Sequence, residues 1–103
     1  MNKFRIVYSR QADRDMDDLT DAILYKYKAP LTAFRYIQGL KDSIEQLHRN
    51  AEVFPFFNNE ILIVRFGANI RRINYKKMAI IYTVHDKIVY IHRILPANLI
   101  ITS

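Results

Sequence analysis

Between Ile70 and Leu95 the chain carries Arg71, Arg72, Lys76, Lys77 and Arg93 together with Tyr75, Tyr82, Tyr90, His85 and His92. Guanidinium and ammonium groups neutralise phosphate or carboxylate, phenols pair an apolar ring with a polar tip, and imidazole exchanges protons near neutrality. Metal-free cleavage of RNA needs several such groups at one phosphate: a base for the 2′-hydroxyl, positive charge for the pentavalent phosphate and an acid for the leaving 5′-oxygen. Docking onto a macromolecule needs the charges and rings alone. His92, Arg71, Arg72 and Lys77 are the candidates for the first chemistry. Arg65, Arg71, Arg72, Lys76, Lys77, Tyr82 and Arg93 are the candidates for the second.

The order of these residues restricts what they do together. His92 and Arg93 are adjacent in an alternating strand, which points them to opposite faces and keeps them from one phosphate. Arg71 points with Ile73 and Tyr75, Arg72 with Asn74, and Lys76-Lys77 falls in a connection, where a solvated pair is the default and phosphate attraction the bolder reading. A lone strand histidine is more often packed or partly exposed without catalytic duty than engaged in proton transfer. For Arg93, an ion pair near the sheet edge competes with a binding role.

The elements that position these groups follow from periodicity. Phe4, Ile6 and Tyr8 define a first strand, and Ser9 caps a helix whose stripe is Ala12, Met16, Leu19, Ile23 and Tyr27. Asp13, Asp15, Asp17, Asp18 and Asp21 lie elsewhere on that helix, several in the first turns where its dipole favours negative charge; their divergent directions argue against a metal site. Lys28-Ala29-Pro30 ends the helix, and Ala33, Tyr36, Ile37, Leu40, Ile44 and Leu47 form the stripe of a second, giving an antiparallel helical hairpin. Gly39 inside it predicts a close approach to another helix or to the sheet. Val53-Phe54-Pro55-Phe56-Phe57 is predicted to tuck under the sheet edge, and Glu60 to Phe66 to form a strand ended by Gly67. Ile70 to Tyr75 reads as a further strand. Two antiparallel strands then close the sheet through the His85-Asp86 turn. In the first, Ile80, Tyr82 and Val84 oppose Ala79, Ile81 and Thr83; in the last, Ile88, Tyr90, His92 and Ile94 oppose Val89, Ile91 and Arg93.

The expectation is an α+β domain spanning residues 1–103, with the hairpin packed on a mainly antiparallel four-stranded sheet in the order β-α-α-β-β-β, one strand fewer than the five segments that read as extended. Composition suits one folded domain: 103 residues, 50% hydrophobic and 25% charged. The absence of Cys excludes disulfides, thiolate catalysis and thiolate-bound metal. No Gly-rich phosphate loop, nucleophile elbow or zinc-ligand spacing is present, so no cofactor, metal or small-molecule substrate is expected. No signal peptide or membrane span is indicated, which predicts a cytoplasmic protein. The net charge of +6 is uneven: five Asp and one Arg lie between Asp13 and Asp21, against seven Arg or Lys and one acid, Asp86, from Ile61 onward. Such a surface attracts polyanions or acidic protein segments, or simply solubilises the domain. The apolar run Leu99-Ile100-Ile101 packs internally or belongs to an interface.

The series Ile70-Arg71-Arg72-Ile73, Ile80-Ile81-Tyr82, Asp86 and Ile91-His92-Arg93-Ile94-Leu95, preceded by Tyr8-Ser9, the helix carrying Ala12 and Leu19, and the hairpin, resembles the RelE/ParE superfamily of type II toxin-antitoxin toxins over nearly the whole chain. The resemblance implies a growth-inhibiting, plasmid-stabilising toxin neutralised by a cognate antitoxin through an amphipathic, often acidic segment. RelE-like members cut messenger RNA on the ribosome; ParE-like members inhibit DNA gyrase. Nuclease members place a cation just before the strand Tyr and a Tyr or His after the last strand. Here Met78-Ala79-Ile80-Ile81 precedes Tyr82, and Pro96 stands where many members carry histidine. The resemblance therefore favours the ParE-like branch, acting by binding. A RelE-like endoribonuclease and an inactive toxin-derived binding module are the alternatives.

Overall fold

The computed structural model describes residues 3–100. Its first strand, β1 (Arg5–Tyr8), runs into Ser9, whose Oγ accepts the Ala12 N–H at 2.9 Å and starts helix α1 (Arg10–Tyr27). Lys28 closes α1 in the left-handed conformation (φ 51°), its N–H on the Leu24 carbonyl. Pro30 sits in the first turn of α2 (Pro30–Glu45), where its missing N–H costs nothing. One further helical turn, α3 (Leu47–Asn50), leads into an irregular aromatic connection.

Strands β2 (Arg71–Tyr75), β3 (Met78–His85) and β4 (Ile88–Pro96) join β1 in a sheet of order β1-β4-β3-β2. β1 is parallel to β4, and the other pairings are antiparallel. The expected hairpin on a mainly antiparallel four-stranded sheet is the observed architecture. Ala12, Met16 and Ile23 of α1 and Ala33, Ile37, Leu40 and Ile44 of α2 bury against Ile73, Ile80, Tyr82, Val89, Ile91 and Ile94 on one sheet face. Gly39 marks the approach of α2 to the sheet: an added Cβ would lie 2.8 Å from Tyr75 Cζ and nearer still to the Tyr75 hydroxyl.

One predicted strand is a helix. Glu60–Phe66 forms α4, not a strand, and the strand count is completed by Arg71–Tyr75. Asn59, extended and buried, accepts the Leu62 N–H at 3.1 Å; Glu60 stands in the first turn, and Gly67 (φ 99°) closes the last. The β-branched Ile61, Ile63 and Val64 favour a strand only weakly, and tertiary packing overrides them. Leu62, Ile63 and Phe66 cover Ile70 and Ile81 on the sheet face away from the hairpin, with Phe57 and Ile100. Covered on both faces, β3 is buried from Met78 through Thr83. The aromatic connection divides between the two layers: Phe54 packs with the hairpin core, Phe57 under α4, and Phe56 makes an isolated bridge to Arg71 at the β2 edge. Leu99 is exposed and Ile100 packs under α4, whereas Ile101 lies outside the described residues.

Candidate macromolecular interface

The candidate residues divide according to what holds their polar ends. β1 accompanies β4 only as far as Ile91, after which helix α1 takes over the exposed edge of β4. Ser9 donates its N–H to the Ile91 carbonyl (2.9 Å) and its hydroxyl to the His92 carbonyl (3.0 Å). Asp15, six residues further along, accepts the Ile94 N–H at 2.9 Å. The same carboxylate is gripped by Arg93 through Nε at 2.8 Å and Nη2 at 3.1 Å. Arg93 thus fastens α1 to the sheet edge. It was a candidate for target or antitoxin contact, and its donors are instead turned inward to Asp15, because β1 is too short to satisfy that edge.

Strict alternation also fails along β4. Ile81 pairs with Arg93 but Tyr82 with Ile91, so His92 is the extra residue of a bulge in β4. Val89, Ile91 and Ile94 all reach the hairpin core, and Ile94 does not share the direction of His92 as predicted. The polar ends of His92 and Arg93 still diverge. His92 Nε2 lies 2.8 Å from Thr83 Oγ1, and its ring stacks on Phe66 of α4 with centroids 4.7 Å apart. Burial, with a smaller contribution from His85, depresses the His92 pKa and holds the imidazole neutral. A histidine whose pKa falls on folding stabilises the native state above its unfolded pKa and withdraws that stability on acidification, since the unfolded chain takes the proton first. The denaturation midpoint is therefore expected to drop between pH 7.5 and 5.5 by more in the parent chain than in His92→Gln. Equal drops would show that His92 is not held this way.

Arg71, partly buried, and Tyr82, fully buried, are likewise held by the chain itself. Tyr82 has no exposed surface and donates its hydroxyl to the Ala51 carbonyl at 2.7 Å; burial pushes the phenol up to about 12, against a smaller lowering by Arg71. Arg71 Nη1 donates to the carbonyls of Glu52 (3.2 Å) and Phe54, and its guanidinium covers the Phe56 ring at 4.3 Å. Both were candidate contact residues, and both instead fasten the Ala51–Phe56 segment to the sheet. Tyr82 cannot meet a partner directly.

Four candidates keep accessible heads. Arg72 Nε donates to Asn74 Oδ1 at 2.9 Å, with the guanidinium 5.0 Å from the Phe57 ring. Arg65 is exposed on α4, 5.8 Å over Phe66 and beside the exposed Ile61 and Val64. Lys76 and Lys77 are exposed in the β2–β3 turn, Lys76 in the left-handed region (φ 51°). The Lys76 ammonium lies 5.5 Å from the Tyr36 ring centroid and 5.6 Å from that of Tyr75, and these two rings meet edge to face at 5.3 Å. Sequence reasoning missed the groups opposite this turn. Lys26 and Tyr27 at the end of α1 share a cleft with Lys76 and Lys77, and Tyr27, assigned to the core stripe, is 53% exposed because the helix outruns the sheet there.

The nuclease set does not converge. His92 faces Thr83 and Phe66, Arg71 is clamped to the connection, Arg72 is tied to Asn74, and Lys77 stands in a turn. Among the described residues no group of three or more His, Asp or Glu side chains could hold a metal ion, and no helix is long and apolar enough to cross a membrane.

A helical hairpin on one face of a mixed sheet, with a short helix on the other, defines a small α+β domain whose accessible candidate cations lie on α4 (Arg65), on β2 (Arg72) and in the β2–β3 turn (Lys76 and Lys77). The sequence matches the family model described as ParE toxin of type II toxin-antitoxin system, parDE, over residues 6–98, and the chain belongs to that family. A solved chain described as "Chromosomal ParDE TA system from P. aeruginosa" shares the fold, with a TM-score of 0.75 at 17% identity over 93% of this chain and 98% of that chain. No curated protein matches the sequence.

Proposed function

We propose that this chain is a ParE-like toxin that acts in the cytoplasm by binding, holding an essential enzyme such as DNA gyrase in a damaging state until a cognate antitoxin removes it. The dispersal of the nuclease candidates carries this reading. General acid-base cleavage needs proton donor and acceptor within hydrogen-bond reach of one phosphate, and His92 spends its Nε2 on Thr83. Binding asks only for accessible groups on a rigid support, which Arg65, Arg72, Lys76 and Lys77 provide. Arg71, Tyr82 and Arg93 act one step back, by holding those supports in place. Neutralisation by an amphipathic acidic antitoxin segment suits the exposed Ile61 and Val64 beside Arg65.

Induced expression tests the proposal. The expected outcome is growth arrest with a supercoiling defect and DNA breaks while transcripts stay intact, and rescue by the product of the neighbouring gene. Codon-linked transcript cuts lost in His92→Ala would instead establish the RelE-like endoribonuclease. Harmless expression would leave a toxin-derived binding module.

A further inference from the structure

The two ends of the helical hairpin differ in charge in a way the order of residues conceals. At one end the groove between α1 and α2 carries Asp13, Asp17, Asp42 and Glu45, with Lys41 as its cation. At the other, the cleft between the α1–α2 turn and the β2–β3 turn is lined by Lys26, Tyr27, Thr32, Tyr36, Lys76 and Lys77 over an apolar floor of Leu19, Ala22 and Ile23, and no acidic side chain lines it. Beyond Lys77 the surface continues past Met78, Pro96 and Asn98, again without an acid.

We propose that this basic, tyrosine-lined cleft binds single-stranded nucleic acid, with phosphates on Lys26, Lys76 and Lys77 and an unpaired base on Tyr27. The rings decide between a nucleic acid strand and an acidic peptide, which the lysines alone would attract equally. An aromatic face carries partial negative charge, so it offers a carboxylate nothing, whereas every base has a π-face that stacks on it. Tyr27 is half exposed, with the Lys26 ammonium 5.2 Å from its ring, and the Lys76 ammonium is held near both Tyr36 and Tyr75. Charge and stacking surface are thereby fixed side by side before any ligand arrives. The acidic groove at the far end of the hairpin repels the same strand and limits it to one end of the molecule. This inference shares Lys76 and Lys77 with the proposed target-binding surface, but its test reads affinity for a strand directly and does not depend on which cellular target is bound.

Fluorescence anisotropy with labelled dodecathymidylate and the full chain tests it. Three neutralised phosphates on a single strand give a log-log salt slope of about −2, or roughly a 20-fold loss of affinity between 50 and 200 mM salt. Lys76→Gln/Lys77→Gln is expected to weaken binding at 50 mM salt at least about tenfold and bring the slope near −0.7. Tyr27→Ala should cost about fivefold or more without altering the slope, and Tyr27→Phe should restore the affinity. Lys41→Gln, which removes a charge from the acidic groove, should change affinity less than about twofold, so that loss of net charge alone is accounted for. The proposal is overturned by absence of binding at 50 mM salt, by variants that bind as the parent does, or by equal competition from duplex DNA. Equal competition from polyglutamate of matched charge would also overturn it and assign the cleft to an acidic protein segment.

Discussion

Asp15→Ala is expected to destabilise the fold by about 3–5 kcal/mol, read as a fall in the midpoint of urea unfolding, although the substitution suits a helix. Asp15 is buried, with 7% of its side chain exposed, and one carboxylate satisfies both the Arg93 guanidinium and the Ile94 N–H. Removing it leaves a positive charge and a backbone donor unpaired at the point where α1 meets β4. Asp15→Asn should recover part of the loss, since its amide oxygen still accepts the Ile94 N–H. Arg93→Leu should cost less than Asp15→Ala, and the double variant Asp15→Ala/Arg93→Leu less than the sum of the two, because no charge is then stranded. A loss below about 1 kcal/mol for Asp15→Ala would show that α1 is held to the sheet by packing alone.

Tyr82→Ala is expected to cost about 3–5 kcal/mol, and Tyr82→Phe about 1–3 kcal/mol. The first opens a void at the centre of the hairpin core; the second preserves shape and strands the Ala51 carbonyl. The same phenol predicts an alkaline limit. Its pKa is raised to about 12 in the native state from the usual 10, so the stability it contributes is full below pH 10 and is lost as pH rises toward 12. Unfolding midpoints at pH 9 and pH 11 should therefore separate further in the parent than in Tyr82→Phe. An equal separation would place that titration elsewhere.

Both residues bear on binding without taking part in it. Tyr82 and Arg71 secure the connection that feeds α4, which displays Arg65, and Asp15 with Arg93 secures α1, which ends in Lys26 and Tyr27. Loss of toxicity in these variants would accordingly track loss of folded protein, whereas substitutions at Arg65, Arg72, Lys76 or Lys77 should reduce activity in a protein that unfolds at the parent's midpoint.

Local patterning was sufficient for much of the architecture. The spacing of Ala12, Met16 and Ile23, the Ser9 cap and Pro30 specify the hairpin, because helix period and capping are properties of neighbouring residues. Alternation along Ile80–Val84 specifies β3 for the same reason, and the order of the Arg, Tyr and Ile-Leu motifs pointed to the toxin class. Asn59 and Gly67 also marked the two ends of α4, but its β-branched residues obscured the signal until Ile70 and Ile81 supplied a surface for Leu62 and Phe66. The remaining features depend on contacts between distant parts of the chain. Parallel pairing of β1 with β4, the bulge at His92, the inward turn of Arg71 and Arg93 and the meeting of Lys26 with Lys76 join groups 9 to 83 positions apart. A cation in a sequence records only that charge is present; whether it faces a carbonyl, a carboxylate or solvent is settled by which buried groups the closed fold leaves without partners.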